Sequence, residues 1–346
     1  MSIEALFGKT GDHSVPVYII AEIGVNHNGS LERAKSCIDE AVNCGANAVK
    51  FQTFKSEKLV TKQAQKADYQ TENTGSSETQ LEMLKKLELS FEDFTYLKQY
   101  CKQKGIDFLS TPFDEESAAF LDSIDVHAFK IGSGDMNNIP LLRQLNRYKR
   151  PVLLSTGMAD LEEIQESLVE LDQCDVAILH CTSDYPAPLH DVNLAAIQTL
   201  KRTFNRVTGY SDHTEGVEIT LAAVAMGARI IEKHFTVDRN LPGPDHQASL
   251  EPAELRQLIA GVRHIELAWG DGQKRCMPSE ENTRKVARKS VVAARDKKAG
   301  EVLAEEDLSV KRPGTGLAPK YYFELLGREL TKDIREEQLL SWDDVR

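Results

Sequence analysis

Two histidines close two short apolar runs in the chain: His213 in VTGYSDH (207–213) and His234 in RIIEKHF (229–235). Imidazoles held side by side can share a divalent ion, and two of them completed by water or carboxylate suit Mn, Mg or Zn. Glu232 stands two residues before His234, so on a strand both face one way and Lys233 faces the other. Lys50 in AVKFQT and Lys130 in AFKIGS lie in apolar surroundings, where an ammonium is costly unless paired. With the hydroxyls of Thr111, Ser133, Ser155 and Ser211 they predict a site for an anion carrying phosphate or carboxylate. The alternative is ion pairing with Glu22 or Glu232. Glu22, in AEIGVNHNG, is a candidate general base or water-positioning group. His27 in the same stretch is either a second catalytic group or part of a polar turn. The glycines of IGSG (131–134) are too few for a nucleotide loop, and no GxxxxGK[ST] stretch occurs.

These residues need elements that bring them together. Apolar runs recur at 17–24, 48–53, 107–112, 128–133, 151–156, 177–182, 207–213 and 229–235, most followed by a helical pattern. SLERAKSCIDEAVNCG has apolar residues at 31, 34, 37, 38, 41 and 42, one helix face opened by Ser30 as N-cap and closed by Gly45. EEIQESLVEL and GVEITLAAVAMG read the same way. Eight strand–helix repeats predict a parallel α/β fold, a (β/α)8 TIM barrel over residues 1–270, with 1–16 as an N-terminal extension. Each run finishes in polar residues, and in such barrels the C-terminal strand ends converge on the active site. After Trp269 the pattern changes. Residues 271–286 read as a polar linker, and 287–346 as a small, mostly β module whose GEVLAEEDL (300–308) is echoed by EQLLSWDDV (337–345). So small a module needs docking on the barrel or on a second subunit.

Composition narrows the classes of partner. The chain has 346 residues and a formal net charge of −12, which argues against a nucleic-acid or acidic-membrane binder. The first fifteen residues lack a basic stretch followed by an apolar one, and no apolar run reaches membrane-spanning length. The six cysteines are scattered without a CxxC pair, as expected of reduced thiols in a cytoplasm.

The stretches AEIGVNHNG, VKFQTF, STPFD, KIGSGD, LSTGM, HCTSDYPAP, GYSDHT, EKHFT and LPGPDH, in that order, resemble the sialic acid synthase family. Its members make nine-carbon nonulosonic acids such as N-acetylneuraminate and legionaminate. The tail around VKRPGTG resembles the antifreeze-like SAF domain, a β-clip, that closes these enzymes. The resemblance implies a metal-dependent condensation of phosphoenolpyruvate with an N-acyl hexosamine, with phosphate released by C–O cleavage. It implies that His213 and His234 hold the divalent metal, Mn2+ first, with Mg2+ or Co2+ as alternatives. Glu22 and Glu232 are then catalytic, while Lys50, Thr111, Lys130, Ser133, Ser155 and Ser211 hold phosphoenolpyruvate. Gln52, Tyr185 and Asp245 match positions that face the sugar. The implied assembly is a homodimer with swapped SAF domains, in which Arg312 reaches the N-acyl group of the sugar in the partner's barrel. Some relatives carry Asn where Ser183 stands. The polar segment 62–80 resembles the legionaminate branch as much as the neuraminate branch and reads as a loop over the site. N-acetylmannosamine and 2,4-diacetamido-6-deoxy-mannose both remain open as acceptors. The competing functions are a 3-deoxy sugar-phosphate synthase and a non-catalytic carbohydrate-binding protein.

Overall fold

The structure, a computed structural model, describes residues 3, 7, 15–75 and 78–346. The expected N-terminal extension and the absence of a leader fall almost wholly outside the described residues, as do positions 76 and 77 of the polar segment. Two compact units meet in the chain between Gly270 and Asp271.

The first unit is an eight-stranded parallel barrel: β1 (Tyr18–Gly24), β2 (Ala48–Thr53), β3 (Asp107–Pro112), β4 (Phe129–Ile131), β5 (Val152–Ser155), β6 (Val176–Cys181), β7 (Thr208–Asp212) and β8 (Ile230–His234). All eight expected runs are strands. The ladder runs β3-β2-β1-β8-β7-β6-β5-β4, and β3 lies beside β4 without a ladder between them. The helix Leu31–Cys44 is capped as its sequence predicts: the Ser30 side chain accepts from the Arg33 N–H, and Gly45 takes a left-handed φ of 91°.

Strand periodicity divides the residues between two cores. Outward side chains such as Ile19, Val49, Phe108, Leu154, Ile178 and Ile231 pack against the helices. Inward ones form a second cluster, in which Tyr18, Ile20, Ala48, Leu109, Leu153 and Ile230 plug the barrel. Two residues further along each strand the same inward face turns polar: Glu22, Lys50, Thr111, Lys130, Ser155, Ser211 and Glu232 are all buried. The plug thus supplies a dry floor and the next layer supplies chemistry. Crowding at that floor sets one residue, Gly209, where a Cβ would lie 2.5 Å from the Ile230 carbonyl oxygen.

The second unit holds an antiparallel pair, β9 (Ser290–Ala293) and β10 (Leu308–Lys311), over a core including Val291, Leu303, Leu325, Leu330, Ile334 and Leu340. Part of the stretch read as linker is helical: a 3-10 turn at Pro278–Glu280 leads into the helix Glu281–Ala287. The sequence echo has a structural counterpart. Glu305–Asp307 and Trp342–Asp344 are both single 3-10 turns, each ending in a buried aspartate that accepts the N–H at the head of its own turn, from Ala304 at 2.9 Å and Ser341 at 2.6 Å. Each carboxylate also meets a lysine, Lys297 at 2.6 Å or Lys332 at 2.8 Å.

Candidate active site

Parallel register brings the polar strand ends into one ring. Glu22 pairs with Lys50 on one side and with His234 on the other, Ser211 with Glu232, and Gln52 with Thr111. They surround a cavity of about 460 Å³ lined by Glu22, Lys50, Gln52, Thr111, Lys130, Ser133, Ser155, Tyr185, Ser211, His213, Glu232 and His234. Asp245 lines an adjoining recess together with Gln52, Tyr185 and His234. Arg312 belongs to the second unit, where it stands exposed directly after β10.

The floor is a charge network. Lys50 Nζ lies 2.8 Å from Glu22 Oε2 and 3.8 Å from Glu232 Oε2, and donates to Thr111 Oγ1 at 2.9 Å. Lys130 Nζ is 3.6 Å from Glu232 Oε1 and donates to the Ile131 carbonyl at 3.0 Å. Ser211 donates to Glu232 Oε1 at 2.7 Å, and Gln52 to Glu22 Oε1 at 3.3 Å. The ion pairs weighed against an anion site are therefore formed, but loosely at Lys130. Burial lowers its pKa, and the nearby Glu232 does not fully restore it. Burial likewise pushes Glu22 up to about 7 against the pull of Lys50, whereas at Glu232 two lysines outweigh burial and hold the carboxyl down. One carboxyl near neutrality beside one firmly ionised is a division of labour suited to proton transfer.

Besides Glu22 Oε2, which meets Lys50 as an ion pair, three buried polar atoms of this ring have no hydrogen-bond partner among the described residues: Ser155 Oγ, Glu232 Oε2 and His234 Nδ1. Buried polar groups are seldom left so, and all three belong to residues that line the cavity. The two imidazole rings stand 5.6 Å apart between centroids, with Tyr185 stacked 4.0 Å from His213. His213 Nδ1 lies 2.7 Å from the Thr182 carbonyl, which makes Nδ1 the donor and, in the neutral ring, leaves the lone pair on Nε2. Burial depresses His234 well below the usual imidazole range, keeping it neutral, the form that ligates. The donor set fits a divalent ion completed by water or substrate. No group of three or more His, Cys, Asp or Glu with metal-holding geometry occurs among the described residues.

Cavity groups that the sequence reading did not single out include Cys181 and Tyr69. Cys181 ends β6 in the cavity wall, its Sγ 3.8 Å from His213 Nδ1. Ser183 also lines the cavity, and a Cβ on Gly157 would fall 2.2 Å from its Oγ. Ser133 accepts the Gly157 N–H at 2.9 Å. The polar segment does roof the site. Tyr69, in the helix Asp68–Thr74, stacks 5.0 Å from Tyr185, and Asn73 donates to the Pro244 carbonyl at 2.7 Å. His27 lies apart from the cavity lining. It is buried in the turn after β1 and accepts the Gly29 N–H at 3.1 Å, a structural role. Lys233 points outward, as strand parity predicts, and donates to Asp212 at 2.8 Å.

A barrel with this ring, followed by a small β-clip module, defines a narrow class of proteins. The chain belongs to the NeuB family: the NeuB family model matches residues 37–274, and the SAF domain model matches 288–346. It is 47% identical over 327 residues to the N,N'-diacetyllegionaminic acid synthase of Campylobacter jejuni, covering 93% of this chain and 98% of the relative. The N,N'-diacetyllegionaminic acid synthase of Legionella pneumophila is 44% identical, with 97% of each chain covered. Among solved structures, the N-acetylneuraminic acid synthetase of Leptospira borgpetersenii in complex with citrate matches with a TM-score of 0.69. It is 39% identical, with 78% of this chain and 90% of that chain covered.

Proposed function

We propose that the chain is a nonulosonic acid synthase, joining phosphoenolpyruvate to the aldehyde of an open-chain N-acyl-mannosamine-type sugar and releasing phosphate by C–O cleavage. The observation that carries this reading is the single buried ring holding two lysines, two glutamates and two histidines, with buried polar atoms such as Ser155 Oγ and His234 Nδ1 lacking a hydrogen-bond partner among the described residues. Lys50, Lys130, Thr111, Ser133 and Ser155 are the groups for the phosphate and carboxylate of phosphoenolpyruvate, because cations and hydroxyls in a dry cavity favour an anion there. Ser211 and Glu232 orient that cluster from below. His213 and His234 would hold a divalent ion, Mn2+ being our first choice, which supplies Lewis acidity to the aldehyde oxygen. The enol carbon then bonds to the aldehyde carbon, and the former enol carbon bearing the phosphate becomes electron-poor and takes up water. Loss of phosphate from the resulting tetrahedral centre leaves a ketone. Glu22 is assigned the proton taken from that water, since its carboxyl titrates near neutrality.

Gln52, Tyr185 and Asp245 are assigned to the sugar hydroxyls, and Arg312 of a second copy to its N-acyl group, in a homodimer with exchanged SAF domains. The relatives at 44–47% identity favour the 2,4-diacetamido-6-deoxy-mannose acceptor over N-acetylmannosamine. The test is phosphate release from phosphoenolpyruvate and Mn2+ with either sugar. Release only with arabinose 5-phosphate would establish the 3-deoxy sugar-phosphate reaction instead. No release with any sugar would leave a carbohydrate-binding protein.

A further inference from the structure

The loop that ends in Asp245 and His246 is irregular, and its Pro242 and Pro244 have no N–H to give. Its carbonyls are therefore its handles, and side chains from outside it take three of them. Asn28 donates to the Pro242 carbonyl at 2.6 Å, Asn73 to that of Pro244 at 2.7 Å, and Ser249 to that of Asp245 at 2.7 Å. Ser249 is held in turn. Its hydroxyl accepts from Asn26 Nδ2 at 2.9 Å, and the same amide donates to the Phe235 carbonyl at 3.0 Å, with Asn26 and Ser249 both buried. His246 stands 2.7 Å from Thr236 Oγ1 and 3.3 Å from Asn28 Oδ1. The loop presses so closely here that a Cβ on Gly243 would lie 2.7 Å from the His246 ring and 2.9 Å from Asn28 Oδ1.

Asn26 and Asn28 both belong to the turn after β1. That turn is closed by the Asn26 N–H on the Ile23 carbonyl at 2.8 Å and the Asn28 N–H on the Val25 carbonyl at 2.9 Å. It continues the strand that carries Glu22, so the loop is fastened to the same support as the catalytic ring. Asp245 is buried, yet its carboxylate accepts no hydrogen bond among the described residues. A short side chain with no tether of its own goes where its backbone goes.

Resting on the assignment of Asp245 to the sugar hydroxyls, we infer that Asn28, and Asn26 acting through Ser249, are positioning residues that set the Asp245 carboxylate at one place relative to Glu22 and His234. A loop released from these bonds would present the carboxylate for only a fraction of the time, and the apparent affinity for the sugar would fall by that fraction. Phosphoenolpyruvate, assigned to groups on and directly after the barrel strands, would be bound as before.

Two substitutions test this in the full-length protein. Asn28→Gly deletes the amide at a residue whose φ is 49°, which glycine adopts without strain. Ser249→Ala removes the hydroxyl that joins Asn26 to the Asp245 carbonyl. Initial rates of phosphate release are measured over both substrates with Mn2+ and 2,4-diacetamido-6-deoxy-mannose, or N-acetylmannosamine should that be the sugar turned over. Each variant should raise the KM for the sugar about tenfold and leave the KM for phosphoenolpyruvate within about twofold of wild type. Asp245→Ala should raise the sugar KM at least as much. Adding Ser249→Ala to it should change that KM by less than about twofold, because nothing remains to be positioned. Circular dichroism melts establish that the variants are folded, and Asn28→Gly carries the test alone should Ser249→Ala unfold. An unchanged sugar KM in the folded single variants, a parallel rise in both KM values, or a Ser249→Ala effect that persists in full without the Asp245 side chain overturns the inference and leaves the reaction standing. An unchanged sugar KM in Asp245→Ala overturns the assignment on which it rests, and no phosphate release by wild type with either sugar overturns the reaction itself.

Discussion

Consecutive residues on β8 should fail in opposite ways. Lys233 points away from the cavity, and its ammonium and the Asp212 carboxylate are both almost completely buried, 2.8 Å apart. Asp212 also accepts from the Thr214 N–H and hydroxyl, each at 2.8 Å, from the Tyr210 hydroxyl at 3.2 Å, and from the Thr220 hydroxyl. Removing one partner of a buried pair costs about 3–5 kcal/mol. Because four donors stay on Asp212 after Lys233→Met, the cost should fall at the low end, about 3 kcal/mol. For a barrel of this size that corresponds to a fall of about 6–12 °C in melting temperature. The folded fraction should keep its kcat/KM, since Lys233 touches nothing in the cavity. Asp212→Asn combined with Lys233→Met should recover part of the loss by discharging the orphaned carboxylate. Glu232→Gln, one residue earlier, should lower the kcat/KM of the folded protein itself by about 10²-fold or more. Circular dichroism melts and phosphate release at 25 °C measure both. A Lys233→Met protein that melts like wild type, or that folds fully yet loses activity tenfold, refutes the division between the strand's two faces.

His234→Ala should abolish Mn2+-dependent turnover while preserving the circular dichroism spectrum; full activity in that variant would remove the metal role. Deleting residues from 287 onward, or changing Arg312 to Ala, should raise the KM for the sugar more than that for phosphoenolpyruvate, measured by initial rates in both substrates. Burial lifts the Glu22 carboxyl to about 7, so below that pH the group is protonated and cannot act as a base. The kcat/KM of wild type should accordingly fall as pH drops through 7, and a profile flat between pH 5.5 and 8, quoted as an approximate working range, would dismiss Glu22 as the base. In the second unit burial alone would raise Asp307, but Lys297, the Ala304 N–H and Arg295 hold it at about 2. A carboxyl depressed below its unfolded value contributes stability above about pH 4 and loses it as pH falls toward 2. Asp307→Asn should flatten that acid limb in a pH series of thermal melts.

Parity made most of the ring legible. Writing GYSD beside IIEK in register already pairs Ser211 with Glu232 and Asp212 with Lys233, one pair inside and one outside. Polar residues two positions beyond an inward apolar one, as Lys50 follows Ala48 and Lys130 follows Ala128, mark the layer where the plug ends. Cys181 follows the same rule after Leu179, but a thiol in an apolar run reads as core, and its nearness to His213 depends on neighbouring strands. The roof was harder to see. Tyr69 reaches Tyr185 across more than a hundred residues, and nothing local announces that stack. QLEMLKKL has the periodicity of any amphipathic helix, and periodicity does not reveal that its apolar face borders a recess beside the cavity. Arg312 poses a different problem, because the role proposed for it is in another copy of the chain.

The missing ladder between β3 and β4 places a seam through the proposed anion site. Thr111, with Lys50 bonded to it, stands on one bank; Lys130 stands on the other, on a strand only three residues long. A dianion gripped from both sides would serve as the absent rung, fastening a ring that the backbone leaves unfastened. Occupancy of that site would then be felt as stiffness in the barrel wall, and amide hydrogens of β4 would exchange more slowly once it is filled.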